Sequence, residues 1–558
     1  MGLGKGIFFM ACFAIAMKYV RTGYRKAGMA YGLVFGVSQT IGKLILDDNI
    51  QNVSLDGGIF SKEYVILFVV ATMGAGGMAA IAFAFLEWAC KRQSEQGDKG
   101  HRTKTQKEKK RKAPISFWLI YPVMLLCYLP CFIAYFPGCM SYDSWYITLE
   151  ALGIIGFDNH HPFLHTFLWS IFAHMDEWLG IKQIGITLYT ITQLLVMAAI
   201  YAYTCVWISK RNLSGAFMKI ACVYYTLNPV FHIFTLILTK DVLFSGLFLL
   251  LSITLVDFFE AIYGREESPV EGRLQLKLTI LLFLSCLFRN NMIYVVIAFT
   301  ILLGLAFRVS FSQCKGFLIA ILLFCIVTKI VYPGVHVAKG SVKEMLPVPL
   351  SQIAAVYHSK GESIEAEEKE LIQKYIPGVE QYDRFFADPI KADFNEHAFA
   401  ENKEEFFRLW GRLFRKYPIV YGKAFLALNL PFWYPEMESV REYIETDNYS
   451  QDYPATRKGW LPRVYGWYET VSENKATWMH FPFFRQLYAI GVPVWVLIFF
   501  STWFGIKKRK AALTAGVFSI LLWMTYLLGP VSSFRYAEPL LLTCPLWAAL
   551  GAEASGQL

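Results

Sequence analysis

KEKKRKAPISFWLIYPVMLLCYLPCFIAYFPGCMSYDSW, residues 107–145, decides the class of fold. A basic run leads directly into the apolar stretch Ile115–Phe136, which opens into a polar segment carrying Asp143. A bilayer core of about 30 Å takes roughly 20 apolar residues in a helix, and Ile115–Phe136 is long enough to cross it. Short cytoplasmic loops are enriched in Lys and Arg. The loop Lys91–Lys112 holds ten Lys/Arg against three acids, so it reads as cytoplasmic and Asp143 as extracytoplasmic.

The same alternation runs through all 558 residues. The chain is 55% hydrophobic and 16% aromatic but only 17% charged, with a mean hydropathy of +0.40. Soluble chains carry about 25% charge, so soluble, fibrous and disordered classes are excluded. The net charge of +10 sits in short loops between apolar runs, while residues 336–485 hold 19 Lys/Arg against 22 Asp/Glu. That pattern reports membrane orientation, and no basic soluble module exists for nucleic acid. Eleven cysteines, among them Cys12, Cys127, Cys205, Cys286 and Cys325, lie mostly inside apolar runs, and 336–485 has none. Neither a disulfide framework nor a zinc site follows from that spacing.

Further apolar candidates are Ala27–Leu46, Tyr64–Trp88, Gln183–Ile208, Ala216–Leu236, Val242–Tyr263, Gly316–Tyr332, Leu487–Gly505, Ala511–Gly529 and Ala537–Leu550. Leu278–Phe307 reads as two short helices meeting at Arg289-Asn290-Asn291. Gly6–Val20 is short, either an extra span or a signal-like anchor. Pro162–Gly180 carries His165, His174, Asp176 and Glu177, which are expensive at the bilayer centre, so it is expected along the interface. Lys210-Arg211, Arg265–Lys277, Arg308–Lys315 and Lys507–Lys510 then all face the cytoplasm. The expectation is an α-helical polytopic membrane protein of about twelve or thirteen transmembrane helices. Residues 1–114 hold N-terminal helices and a basic cytoplasmic loop. Residues 115–335 form a transmembrane core with a first external loop at 137–182. Residues 336–485 make a mainly helical extracytoplasmic domain with a helical stretch at Ser363–Tyr375, and 486–558 the last helices. Aromatic clusters at Asn429–Pro435 and Gly466–Glu469 suit a membrane surface.

Nucleotide-binding loops, HExxH and GxSxG are absent. What remains is a set of polar residues at helix ends, delivered by the topology to one face. Asp143 sits among Tyr142, Trp145 and Tyr146, and His160-His161-Pro162 opens an apolar helix. Pro suits a first helical turn, and a helix N-terminus can hold phosphate. Lys240-Asp241, Arg289-Asn290 and Arg535-Tyr536 reach the same leaflet. Each alone also fits a helix cap or a snorkelling anchor. Together the cations suit an anionic lipid headgroup, particularly a phosphate.

An Asp just after a span, followed by an HP motif opening the next helix, resembles the GT-C superfamily of membrane glycosyltransferases. A closer resemblance is to an uncharacterised group of Gram-positive bacterial polytopic membrane proteins. It is carried by PGCMSYDSW (137–145), HHPFLHT (160–166), LTKDVLF (238–244), LFRNN (287–291), PLSQIA (349–354), DPIKADF (388–394) and SFRYAEP (533–539), and covers most of the chain from Ile115 onward. The resemblance implies a GT-C-like fold in a multi-pass cell-membrane enzyme. The enzyme would move a sugar from a polyprenyl-phosphate-linked donor to a cell-envelope glycan, lipid or protein. Asp143 takes the catalytic-base position, and His160, His161, Lys240, Asp241, Arg289, Asn290, Arg535 and Tyr536 bind substrate. Many GT-C enzymes have a second acid beside the Asp; here Ser144 stands there, and Asp241 is a candidate replacement. A divalent metal could assist, although a single Asp gives little to hold one. A transporter or flippase of lipid-linked glycans, or a non-catalytic envelope-assembly protein, are the alternative readings.

Overall fold

The computed structural model describes residues 3–47, 61–102, 115–211, 213, 215–264, 271–437, 444–446, 453 and 455–553. Regular structure among them is helical, with isolated β-bridges but no strand. Six helices are long and apolar enough to cross a bilayer: Thr22–Leu46, Lys62–Lys91, Phe117–Ala134, Ile184–Lys210, Lys240–Tyr263 and Lys315–Gly334. Shorter apolar helices join them, among them Gly6–Tyr19, Met292–Leu305, Val492–Ile506 and Lys510–Tyr526. Trp118, Leu126, Leu305 and Leu322 point outward from the bundle, as side chains bathed in lipid do. The chain is a helical polytopic membrane protein.

Lys240–Tyr263 is the central helix, buried along most of its length. It packs against Ile184–Lys210, Gly272–Phe288, Lys510–Tyr526 and Phe534–Ala552. The helix Lys62–Arg102 runs on into the basic segment, while 103–112 lie outside the described residues. At the amino end, Thr22–Leu46 lies against it along a glycine seam. A Cβ on Gly32 would fall 2.3 Å from the Thr72 carbonyl oxygen and 2.5 Å from the Gly76 nitrogen. Glycine spaced one turn apart lets the two backbones touch. Gly28 and Gly36 continue the seam against Gly76, Ala80 and Thr72.

Two breaks shape the site. Gly272–Phe288 and Met292–Leu305 separate at Arg289–Asn291, as the polar triplet predicts. By contrast, the expected span Ala216–Leu236 is not one helix. It divides into Gly215–Leu227 and Pro229–Phe234 and then runs extended into Lys240. Pro229 has no N–H to continue the first helix, and the Asn228 side chain caps the second by accepting from the Val230 amide at 3.1 Å. The carbonyls this leaves inside the bundle are met by Gln193, whose Nε2 donates to Thr235 and Ile237 oxygens at 2.8 Å each. Pro162–Gly180 is likewise not one helix: it holds Phe163–Ala173 and the one-turn Met175–Leu179.

The described residues of 336–485 cap one end of the bundle. Their amino-terminal part, from Leu346 to Tyr421, has its own apolar core. The later part is stitched into the bundle, with Phe432, Tyr468, Val471 and Met479 in the main core. The aromatic run at 429–435 wedges between helix ends, where Trp495 and Trp523 donate to the Trp433 and Phe432 carbonyls at 2.8 and 3.1 Å. Two backbone ties fasten the cap over the site. Ala338 pairs with Phe157 and Asn159, and the Ala387 amide donates to the Pro530 carbonyl at 2.8 Å.

Candidate functional site

The site begins with a short parallel pairing. The Cys139 amide donates to the Leu236 carbonyl at 3.2 Å, and the Leu238 amide to the Cys139 carbonyl at 2.9 Å. Asp143 follows Cys139 by one turn and Lys240 follows Leu238 by two residues, so the pairing delivers both to one place. Ser144 fixes the register. Its buried hydroxyl accepts from the Ser141 amide at 2.7 Å and donates to the Leu238 carbonyl at 2.8 Å. The position beside the Asp is therefore structural here. Tyr142 adopts φ +53°, a left-handed backbone that costs a non-glycine residue about 1–3 kcal/mol.

Three groups converge on Asp143 Oδ2. Arg535 Nη1 donates at 2.8 Å and Lys240 Nζ at 3.3 Å, and His161 Nδ1 lies at 3.7 Å. Lys240 also donates to His161 Nδ1 at 2.9 Å. An ammonium has no acceptor, so Nδ1 accepts and the imidazole proton sits on Nε2. Burial and the neighbouring Lys240 charge hold His161 well below its ordinary range. Burial alone would raise the Asp143 carboxyl, but the Arg535 and Lys240 charges outweigh it and hold the group well below the usual carboxylate range. Asp143 remains 29% exposed, so one face of this charged cluster stays open.

Asp241 reaches the site through the same guanidinium, 3.9 Å from Arg535 Nη1 and 3.6 Å from Arg289 Nη1. The rings of Phe244, Tyr526 and Tyr536 surround Arg289 at 5.0–5.2 Å. Its buried Nη1 has no hydrogen-bond partner among the described residues. Arg535 lies 4.8 and 4.9 Å from the Tyr142 and Tyr536 ring centres, and its Nη2 donates to the Tyr536 hydroxyl at 3.0 Å. Tyr526 and Phe244 carry no sequence signal that marks them as walls of this cage.

The other two candidates stand at the rim. Asn290 Nδ2 donates to the Asn159 carbonyl at 3.0 Å, and His160 faces Glu344 of the cap at 3.9 Å. Both hold the loop in front of His161 rather than the charged cluster. No group of three or more His, Cys, Asp or Glu suited to a metal occurs among the described residues. Asp143 and Asp241 both face guanidinium groups, so these two carboxylates do not form a divalent-cation site.

The match to a family of unknown function, DUF6020, spans residues 155–555, well over half the chain. The chain belongs to the DUF6020 family. Neither a curated protein nor a solved structure matches it. The DUF6020 region supplies every cation of the cluster, whereas Asp143 and the glycine-seamed amino-terminal helices precede it.

Proposed function

We propose that this DUF6020 protein is a GT-C-type membrane glycosyltransferase. It transfers a sugar from a polyprenyl-phosphate-linked donor to a cell-envelope acceptor on the outer face of the cell membrane. The observation that supports this is one carboxylate, Asp143, held by Arg535 and Lys240 beside a caged Arg289 with an unsatisfied donor.

A carboxylate tied to two cations is a poor base, because efficiency rises as the base approaches the operating pH. An arriving lipid phosphate competes for the same cations. Drawn onto the phosphate, Arg535 and Lys240 release Asp143, whose proton affinity then rises. Donor binding thus switches the base on. The acceptor hydroxyl oxygen forms a bond to the anomeric carbon as the bond from that carbon to the phosphate oxygen breaks. The hydroxyl proton passes to Asp143, and the leaving phosphate keeps the bonding pair. Charge growing on that phosphate is met by Arg535, Lys240 and Arg289, which are already oriented. The aromatic walls around both arginines keep competing water away.

The test uses purified protein in nanodiscs with a lipid extract containing native polyprenyl-phosphate sugars. Wild type is expected to consume the donor and release polyprenyl phosphate when acceptor is present. Asp143→Asn should lower turnover by at least ~10²-fold while remaining folded. Equal rates in the two proteins, or no donor consumption at all, would remove the proposal.

A further inference from the structure

The loop 157–161 in front of the charged cluster is fastened from four sides, and the fastening at Asp158 runs to one buried carboxyl. Glu150, on the short helix Ser144–Ala151, is wholly inaccessible to solvent. Its Oε1 accepts from the Asp158 amide at 2.8 Å, and its Oε2 accepts from Thr166 Oγ1 at 3.4 Å. Asp158 in turn takes the Tyr146 hydroxyl on Oδ2 and the His160 amide on Oδ1, at 2.8 and 2.7 Å. Asn159 then carries the pairing with Ala338 of the cap and the bond from Asn290. His161, which shares Lys240 with Asp143, closes the loop.

We propose that Glu150 is a positioning residue whose proton keeps the 157–161 loop closed over the site, and whose ionisation loosens it. In the neutral form Oε1 still accepts the Asp158 amide, and the proton on Oε2 is donated to Thr166 Oγ1, a hydroxyl that can accept as well as donate. The ionised form places a negative charge in a closed space beside a second carboxylate, Asp158. The charged groups that face it are Asp158 from the loop and Lys240 from the central helix. Tyr146 from its own helix faces it through Asp158, and Thr166 is its neutral partner. Burial first, then the Asp158 charge, pushes the Glu150 carboxyl up to about 7, against the pull of the Asp158 amide, Thr166 and Lys240.

The sign follows from linkage. A raised value in the closed state means that closure is favoured below the ordinary carboxylate range and weakens as pH climbs through about 7. With about 4.5 in the open loop and about 7 in the closed one, opening increases roughly tenfold between pH 6 and pH 8.5 and then levels off. This inference does not depend on which reaction the site performs, so its readout is structural.

Amide hydrogen exchange of the full chain in nanodiscs, corrected for the intrinsic pH dependence of exchange, tests it on peptides covering 150–162 and 335–342. Wild type should lose about tenfold protection there between pH 6 and pH 8.5, with peptides of the central helix unchanged. Glu150→Gln, whose Oε1 can accept the Asp158 amide and whose Nε2 can donate to Thr166 Oγ1 without the charge, should stay protected and flat across that range. Thr166→Val removes a donor that favours the ionised form, so its transition should move to higher pH. A flat wild-type profile, or a Glu150→Gln profile that follows wild type, overturns the proposal. If Glu150→Gln fails to fold, an unshifted transition in Thr166→Val overturns it instead.

Discussion

Replacing Arg535 with lysine keeps the charge and removes the fork, which makes it the sharpest probe of the cluster. The Arg535 guanidinium uses Nη1 on Asp143 and Nη2 on Tyr536, and lies over two tyrosine rings. An ammonium at the same place can still reach Asp143, but it cannot hold Tyr536 at the same time or lie flat between the rings. The lost bond to Tyr536 contributes about 1 kcal/mol. The two ring contacts, at a side chain only 12% exposed, are kept in part by an ammonium, so the exchange costs about 0.5 kcal/mol at each. A total of about 2 kcal/mol corresponds to roughly thirtyfold in an equilibrium constant. Those contacts hold the cation where the phosphate arrives, so their loss lowers the binding-ready fraction, and Arg535→Lys should bind a short-chain isoprenyl phosphate about thirtyfold more weakly, measured by titration in nanodiscs. Donor turnover should fall as well, because the leaving phosphate gains charge in the transition state. Thermal unfolding of the same samples separates binding from folding. Lys510→Arg, in the basic run at the far end of the bundle, serves as the control and should change nothing. If Arg535→Lys binds the phosphate within threefold of wild type and turns over at the same rate, Arg535 is an interface anchor, and the reasoning fails.

Three further outcomes follow from the geometry. Ser144→Asp, which restores the paired acids of many GT-C enzymes, should destabilise rather than activate, by ~3 kcal/mol or more. It puts a carboxylate against the Leu238 carbonyl in a closed slot, and a variant with raised turnover and unchanged thermal stability would contradict this. Gly32→Leu should part the first helices, costing about 1–3 kcal/mol, and a melting temperature equal to wild type in detergent would show that the seam is loose. For orientation, Cys139 is buried and cannot report. Lys360→Cys in the cap should instead react with an impermeant thiol reagent in intact cells and Lys510→Cys only after permeabilisation, and the reverse pattern would invert the map.

Asp143, Lys240 and Arg535 were readable as a group because each is a charge stranded at the end of an apolar run, where only a partner or an interface tolerates it. The break at Arg289–Asn291 was readable for the same reason. Averaged hydropathy hid the division of 216–236, since one Asn-Pro pair barely alters the mean while it removes a backbone donor and inserts a cap. The partners of Arg289 escaped because Phe244 and Tyr526 look like any aromatic residue in a span. Glu150 escaped because an acid on a short amphipathic helix normally faces water, and only the fold reveals that Asp158 and Thr166 enclose it. The glycine seam shows as spacing, but its partner helix does not.

The link between Asp143 and Arg535 joins residues 392 positions apart. Synthesis at about 5–20 residues per second separates their appearance by roughly 20–80 s. Through that interval the carboxylate stands without its main counter-charge, and Lys240 is the first cation of the cluster to arrive. The central helix therefore holds the acid provisionally until the last helix docks. A chain stalled before Phe534–Ala552 would present the pair Asp143 and Lys240 unclosed. Incompletely packed chains are triaged by proteases, so truncations in this helix should be degraded rather than accumulate as inactive protein.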